Sequence, residues 1–196
     1  MIELGAASED EVVLAFLRAE IDSPKWGQHY LGVLRDLHLD RVSLIDAADL
    51  ADVRANCTRK VVLGAVRGYG FNGALFAGFP RDTTWRRVQV ELSDFHRLKC
   101  ISNDERWFKL TVGTRLIRQA ARNLDACSEF AVRVRGAIRR IEQHLPVAEL
   151  IMVETNSGDL ILIEGHARAT AYTVLADRAF PAFIGTSPLM GRWAFV

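Results

Sequence analysis

Glu164, Gly165, His166 and Arg168 stand within five residues, in the stretch LILIEGHARATAY (160–172). An apolar run of strand character there gives way to small, helix-forming residues. A strand that turns into a helix leaves the first-turn backbone N–H groups without partners, at the positive end of the helix dipole. Such an end is a natural seat for a phosphate. Gly165 lets a ligand approach the backbone without a Cβ in the way, and His166, Ala167 and Arg168 bring their N–H groups to the seat. Arg168 can add a charge-assisted fork. Glu164, at the carboxyl end of the strand, can hold Mg²⁺ or act as a general base. His166 can donate to a phosphate or shuttle a proton. The same spacing also fits a plain reading. A carboxylate at a helix start favours the dipole by ~0.3–1 kcal/mol and needs no chemistry, and Arg168 then decorates the surface.

Other residues can take part. In LTVGTRLIRQAAR (110–122), Gly113, Thr114 and Arg115 repeat the pattern of turn, cap and arginine. They can form a second anion seat facing the first, or Thr114 is simply a helix cap. The turn is no Walker A loop, because no lysine follows it. Arg133, Arg135, Arg139 and Arg140 share one helix-forming segment that can follow a DNA backbone. Arg81, Arg86 and Arg87 flank Trp85, which can stack on a base. Both arginine groups also suit a solvated face. Glu154 is a possible second carboxylate, on the strand before Glu164.

The elements that must position these residues are legible in outline. SEDEVVLAFLRAEI reads as a first helix, with Ser8 and Glu11 as a capping box. SPKWGQHYLGVLRDL reads as a second. A third helix or helix pair runs to a terminator at Gly68. GYGFNGALFAGFP, rich in glycine and aromatics, reads as a loop or a tight packing corner; its glycines can let a ligand approach the backbone, and its rings suit the core more than an adenine clamp. TWRRVQVEL and WFKLTV read as strands. Residues 113–124, opened by a Gly-Thr turn, and 128–145 follow as helices, the latter with a Ser128 cap. AELIMVET and DLILIEG form a hairpin through NSGD. The helix of the opening motif comes next, and AFPAFIGTS closes as a last strand. The apolar tail SPLMGRWAFV docks on the body or meets a partner. One domain over 1–196 is expected, α/β in class. Residues 1–80 would form a mainly helical lobe and 81–196 the α/β part.

With 196 residues, half of them apolar, the chain can bury a real core. Its net charge of +1 gives no global attraction to nucleic acid, so any DNA contact needs a local patch. No apolar run reaches the about 18 residues of a membrane span, and the acidic N-terminus does not resemble a signal peptide. Cys57, Cys100 and Cys127 lie far apart and form no CxxC pair, which suits free thiols in a reducing cytoplasm. The five histidines show no zinc spacing.

The segment DLILIEGHARATAYTVLADRAFPAFIGTS resembles the signature of the ParB/sulfiredoxin superfamily. There a strand meets a Gly-x-x-Arg turn, then a helix, then a strand that opens with proline. Here these are Gly165 to Arg168 and Pro181. The resemblance implies a small mixed sheet with helices and nucleotide phosphates at the 164–168 turn. His166 stands where sulfiredoxins have their cysteine, so sulfinic acid reduction is not expected. Some two dozen residues follow the motif, so no DNA-reading helix-turn-helix is expected after it. The acid-Gly-His-x-Arg form is more similar to nucleotide-dependent kinases and nucleases of the superfamily. The layout, a helical front before the motif, resembles the plasmid fertility-inhibition proteins, the group of the oncogenic-suppression protein. That likeness implies a cytoplasmic protein that uses ATP and Mg²⁺, cleaves DNA and blocks DNA transfer. Glu164, His166 and Arg168 would be catalytic, with Glu164 on the metal. Implied partners are a nucleotide, DNA and a conjugation or type IV secretion component. The alternatives are a binding module that turns nothing over and a small-molecule kinase.

Overall fold

The computed structural model describes all residues except Asn103, Asp104, Cys127 and Asp177. The Cys127 thiol and the Ser128 side-chain cap therefore lie outside the described part. The chain is mixed α/β, with strands β1 (Ile2–Ala7), β2 (Thr84–Val90), β3 (Leu98–Lys99), β4 (Leu150–Glu154), β5 (Leu160–Glu164) and β6 (Phe180–Thr186). They form one sheet in the order β1-β2-β6-β4-β5-β3. Helices α1 (Glu9–Glu20), α2 (Gly27–Asp36) and α3 (Val53–Arg67) precede β2. Helices α4 (Glu105–Leu110), α5 (Ile117–Arg122) and α6 (Ser128–Glu142) follow β3, and α7 (His166–Leu175) joins β5 to β6.

Local chemistry sets several ends. Ser8 accepts from the Glu11 N–H while Glu11 reaches back to the Ser8 N–H, which completes the capping box of α1. Gly68 closes α3 in the left-handed conformation, where a Cβ would lie 2.0 Å from the Gly73 carbonyl oxygen. The β4–β5 hairpin pairs Val153 with Ile161 and Glu154 with Leu160.

The alternation of the strands divides the core in two. Ile151, Val153, Ile161, Ile163 and Phe183 face α1–α3, with Phe16, Leu17, Tyr30, Val62 and Leu63 buried against them. Leu150, Met152, Leu160, Leu162, Ala182 and Ile184 face α5–α7. Residues 9–67 thus form one helical layer of a three-layer sandwich.

Two expectations need correction. WFKLTV is no strand: residues 105–110 are helix α4, and a turn follows. Trp107 packs edge-on to Phe130 of α6 at 4.5 Å, and Lys109 pairs with Glu105 one helical turn back. Tertiary packing overrides the β propensity of Trp, Phe and Val at this point. The second correction is at the N-terminus, where an unexpected strand, β1, pairs antiparallel with β2. The C-terminal tail docks on the body. Trp193 is buried, its indole N–H donates to the Leu75 carbonyl, and the Ala194 N–H donates to that of Ala77. No helix among the described residues is long and apolar enough to cross a membrane.

Candidate functional site

The site grows from the end of β5. Glu164 lies opposite Ile151 in the ladder, and the chain then turns through Gly165 at φ 101°, ψ 22° into α7. Glycine is required here twice over. The left-handed conformation disfavours any side chain, and a Cβ would sit 2.3 Å from Cδ2 of Leu150. Gly165 also offers no side chain to cap the helix, so no such bond is made. The first turn of α7 keeps the anion-attracting character of a helix start.

Arg168 is held tightly by the protein itself. Its Nη1 donates to the carbonyls of Ala148 at 2.5 Å and Glu149 at 3.1 Å, and its Nη2 donates to Oε1 of Glu164 at 3.0 Å. The guanidinium therefore ties the approach to β4 to the turn and orients Glu164. Oε2 of Glu164 has no hydrogen bond to Arg168. His166 lies against Trp107, ring centres 4.9 Å apart, and Ala167 packs on the core beneath α7.

A buried charged cluster in the opposite layer lies within electrostatic reach of Glu164. Glu20, the last residue of α1, is 2% exposed. It accepts a 2.7 Å hydrogen bond from the Tyr30 hydroxyl and lies 3.4 Å from Nε of Arg67. The Arg67 guanidinium stacks 4.0 Å over the Trp26 ring. Burial raises the Glu20 pKa first and the negative charge of Glu164 raises it further. Arg67 and the Tyr30 hydrogen bond oppose them, and the result is about 7. Burial and Glu20 together push the Tyr30 phenol far up, so it stays a donor. Glu20 was not among the sequence candidates. Its signal was there, because it falls in register with Val13, Phe16 and Leu17 on the apolar stripe of its helix.

The second carboxylate expected at Glu154 is at the wrong end. Glu154 pairs with Leu160, four residues along β5 from Glu164. It is held by Arg86 at 2.6 Å and Arg97 at 2.8 Å.

Gly113, Thr114 and Arg115 form the turn between α4 and α5, and the side chains of Thr114 and Arg115 are taken up by protein carbonyls. Thr114 donates to the Thr111 carbonyl, and Arg115 is itself left-handed at φ 63°. The Arg115 guanidinium donates to the carbonyls of Cys100 and Phe195 and so braces the C-terminal tail. The short helix α5 begins only at Ile117.

The arginines part into two groups. On β2, Arg86 pairs with Glu154, and Arg87 pairs with Glu149 at 2.9 Å while lying over the Phe183 ring. As successive residues of one strand they are on opposite faces of the sheet, and Trp85 beside them is largely covered. On α6, Arg133, Arg135, Arg139 and Arg140 are all exposed. Arg135 is paired with Asp125 and Arg140 donates to the Pro146 carbonyl. Arg133 and Arg139 have no partner among the described residues. Residues 105–147 hold nine Lys and Arg against four Asp and Glu, and Arg118, Arg122, Arg133 and Arg139 among them are exposed.

No group of three His, Cys, Asp or Glu able to hold a metal ion occurs among the described residues. Glu164 supplies one carboxylate, which fits Mg²⁺ carried in with phosphates, since that ion keeps its waters and needs only one or two protein oxygens. Comparison of the chain with protein-family models, with curated proteins and with solved structures gives no match.

Proposed function

We propose that the chain is a cytoplasmic, nucleotide-dependent enzyme that hydrolyses ATP or another nucleoside phosphate with Mg²⁺ and cleaves DNA. A role in blocking DNA transfer, with a conjugation or secretion component as partner, is what the family resemblance adds. The observation that carries the enzyme reading is a carboxylate held at a helix start, Glu164, whose negative charge reaches the buried Glu20. Glu164 is held in place by Arg168, and Glu20 is buried with a pKa near neutrality. Groups that differ in this way suit acid and base roles in one reaction.

In this reading the substrate phosphate rests on the first-turn N–H groups of His166, Ala167 and Arg168. Bound Mg²⁺ would neutralise charge on the phosphate oxygens. Oε2 of Glu164 orients the attacking water. Glu20 takes up or returns a proton, with Tyr30 and Arg67 holding it in place. Arg168 acts by fixing Glu164 rather than by gripping phosphate. DNA lies along the basic layer, against Arg133 and Arg139.

A second reading is a nucleotide-binding module. The commitment of Arg168 to protein oxygens favours it, because less charge is left to stabilise a transition state. The test is phosphate release from ATP and Mg²⁺, with and without supercoiled plasmid. Wild type should release phosphate and nick the plasmid. Glu164→Gln, which keeps the side-chain shape, should lower both by about 100-fold, the usual size of a general-base contribution, and retain nucleotide binding. Tight nucleotide binding by wild type with neither product would establish the binding module instead.

A further inference from the structure

A cavity of about 580 Å³ opens at the other end of α1, away from Glu164. Its walls are Tyr69, Phe71, Phe76, Phe79 and Trp85, with Glu9, Lys60 and Arg81 as the charged residues among its lining. Glu9 begins α1 and Glu20 ends it, so about 16 Å of helix, at 1.5 Å per residue, separates this cavity from the charged cluster around Glu20.

The cavity is built rather than incidental. Phe76 and Phe79 meet edge to face at 5.3 Å, and Phe79 lies nearly parallel to Trp85, ring centres 6.3 Å apart. The loop that carries the rings holds Asn72 and Ala74 at φ 52° and 45°, where side chains are disfavoured. Strain kept in a loop points to a constraint on its shape. Gly64 of α3 admits the loop, since a Cβ there would lie 2.5 Å from the Phe71 ring. Even so, Phe71 remains 69% exposed, a large ring at the rim with one face uncovered.

The charges of the lining select the ligand. Glu9 is saturated by Lys60 on one oxygen and the Tyr69 hydroxyl on the other, and Lys60 also pairs with Asp10 at 2.9 Å. Arg81 is exposed and has no partner among the described residues, so its whole donor fork is available. Flat rings beside one uncommitted guanidinium suit a flat aromatic molecule with one carboxylate, and the volume suits one of two or three rings.

We propose that this cavity is a second ligand site, independent of the α7 turn, that binds a small aromatic carboxylate with its rings among Phe71, Phe79 and Trp85 and its carboxylate on Arg81. The test is calorimetric titration of the full chain with 2-naphthoate and with the neutral 2-naphthalenemethanol. The carboxylate should bind at least tenfold more tightly. Arg81→Gln should abolish that preference and leave the affinity for the alcohol unchanged. Val61→Trp, at an exposed lining position, should fill the cavity and remove both. Glu164→Gln should leave both affinities unaltered, so failure at this site is separate from failure of the reading at α7. Equal affinities, a preference that survives Arg81→Gln, or no binding of either compound would overturn the proposal.

Discussion

The two helical layers treat charge in opposite ways. In the α1–α3 layer charged groups go inside and are matched. Arg59 is 1% exposed, and its guanidinium donates to the carbonyls of Leu44 and Asp49 and to Asn56. Glu20 is buried and Arg67 partly so, beside Tyr30 and Trp26. In the layer of α4–α7 the core is apolar, Arg115 and Arg168 are tied to protein oxygens at its edges, and Arg118, Arg122, Arg133 and Arg139 stand in solvent. Buried charge demands fixed partners, because an unpaired ion inside costs several kcal/mol. It therefore holds geometry and shifts proton affinity. Exposed charge contributes little to stability and is free to meet an outside polyanion. The candidate site lies where the layers meet, at the end of β5.

The largest effect that would break this contrast is at Arg59. Arg59→Met keeps the volume but strands the carbonyls of Leu44 and Asp49, and should cost roughly 3 kcal/mol of unfolding free energy in urea titration. A loss within the ~0.5 kcal/mol of a surface substitution would show that the burial carries no energetic weight.

The next effect is in pH. The folded pKa of Glu20, about 7, is above the unfolded value near 4.3. The folded state then binds the proton more tightly, so this group's contribution is fully present below about pH 4 and is lost as pH rises to about 7. Stability measured across that window should fall by on the order of 3 kcal/mol from this group. Glu20→Gln should flatten it, whatever its effect on the absolute melting temperature. An unchanged slope would place the titrating group elsewhere.

The smallest effect in stability sharpens the comparison from the other layer. Arg133→Gln with Arg139→Gln should shift stability by less than ~0.5 kcal/mol. The same pair should lower the salt dependence of duplex DNA binding by about two phosphate contacts, a change near 1.8 in the log–log slope. An unaltered slope would remove α6 from the DNA surface.

The parts of the molecule that could be read along the chain are those made by neighbours in sequence. The Ser8–Glu11 box, the Gly68 stop, the 155–159 hairpin and the Gly165 turn each depend on hydrogen bonds and backbone conformations a few residues apart, so residue type and spacing report them directly. β1 escaped because it is an edge strand with mostly exposed residues, stabilised by pairing with β2, whose partner residues are 78 to 87 positions further on. α4 escaped because the residues of WFKLTV favour a strand on their own, and only the contact of Trp107 with Phe130 and His166 makes a helix the better packing.

The candidate site divides in the same way. Its glycine turn, its helix start and Glu164 follow from one stretch of thirteen residues. Which groups surround Glu164 was decided in three dimensions. Arg168 bends back to carbonyls about twenty residues earlier in the chain, Glu154 ends at the far side of its hairpin, and Glu20, from the first helical layer, comes within electrostatic reach. Sequence spacing encodes short-range hydrogen bonding and the face a residue takes within its own element. The partners of a buried charge depend on which elements pack together, and that is settled only when the sheet is assembled.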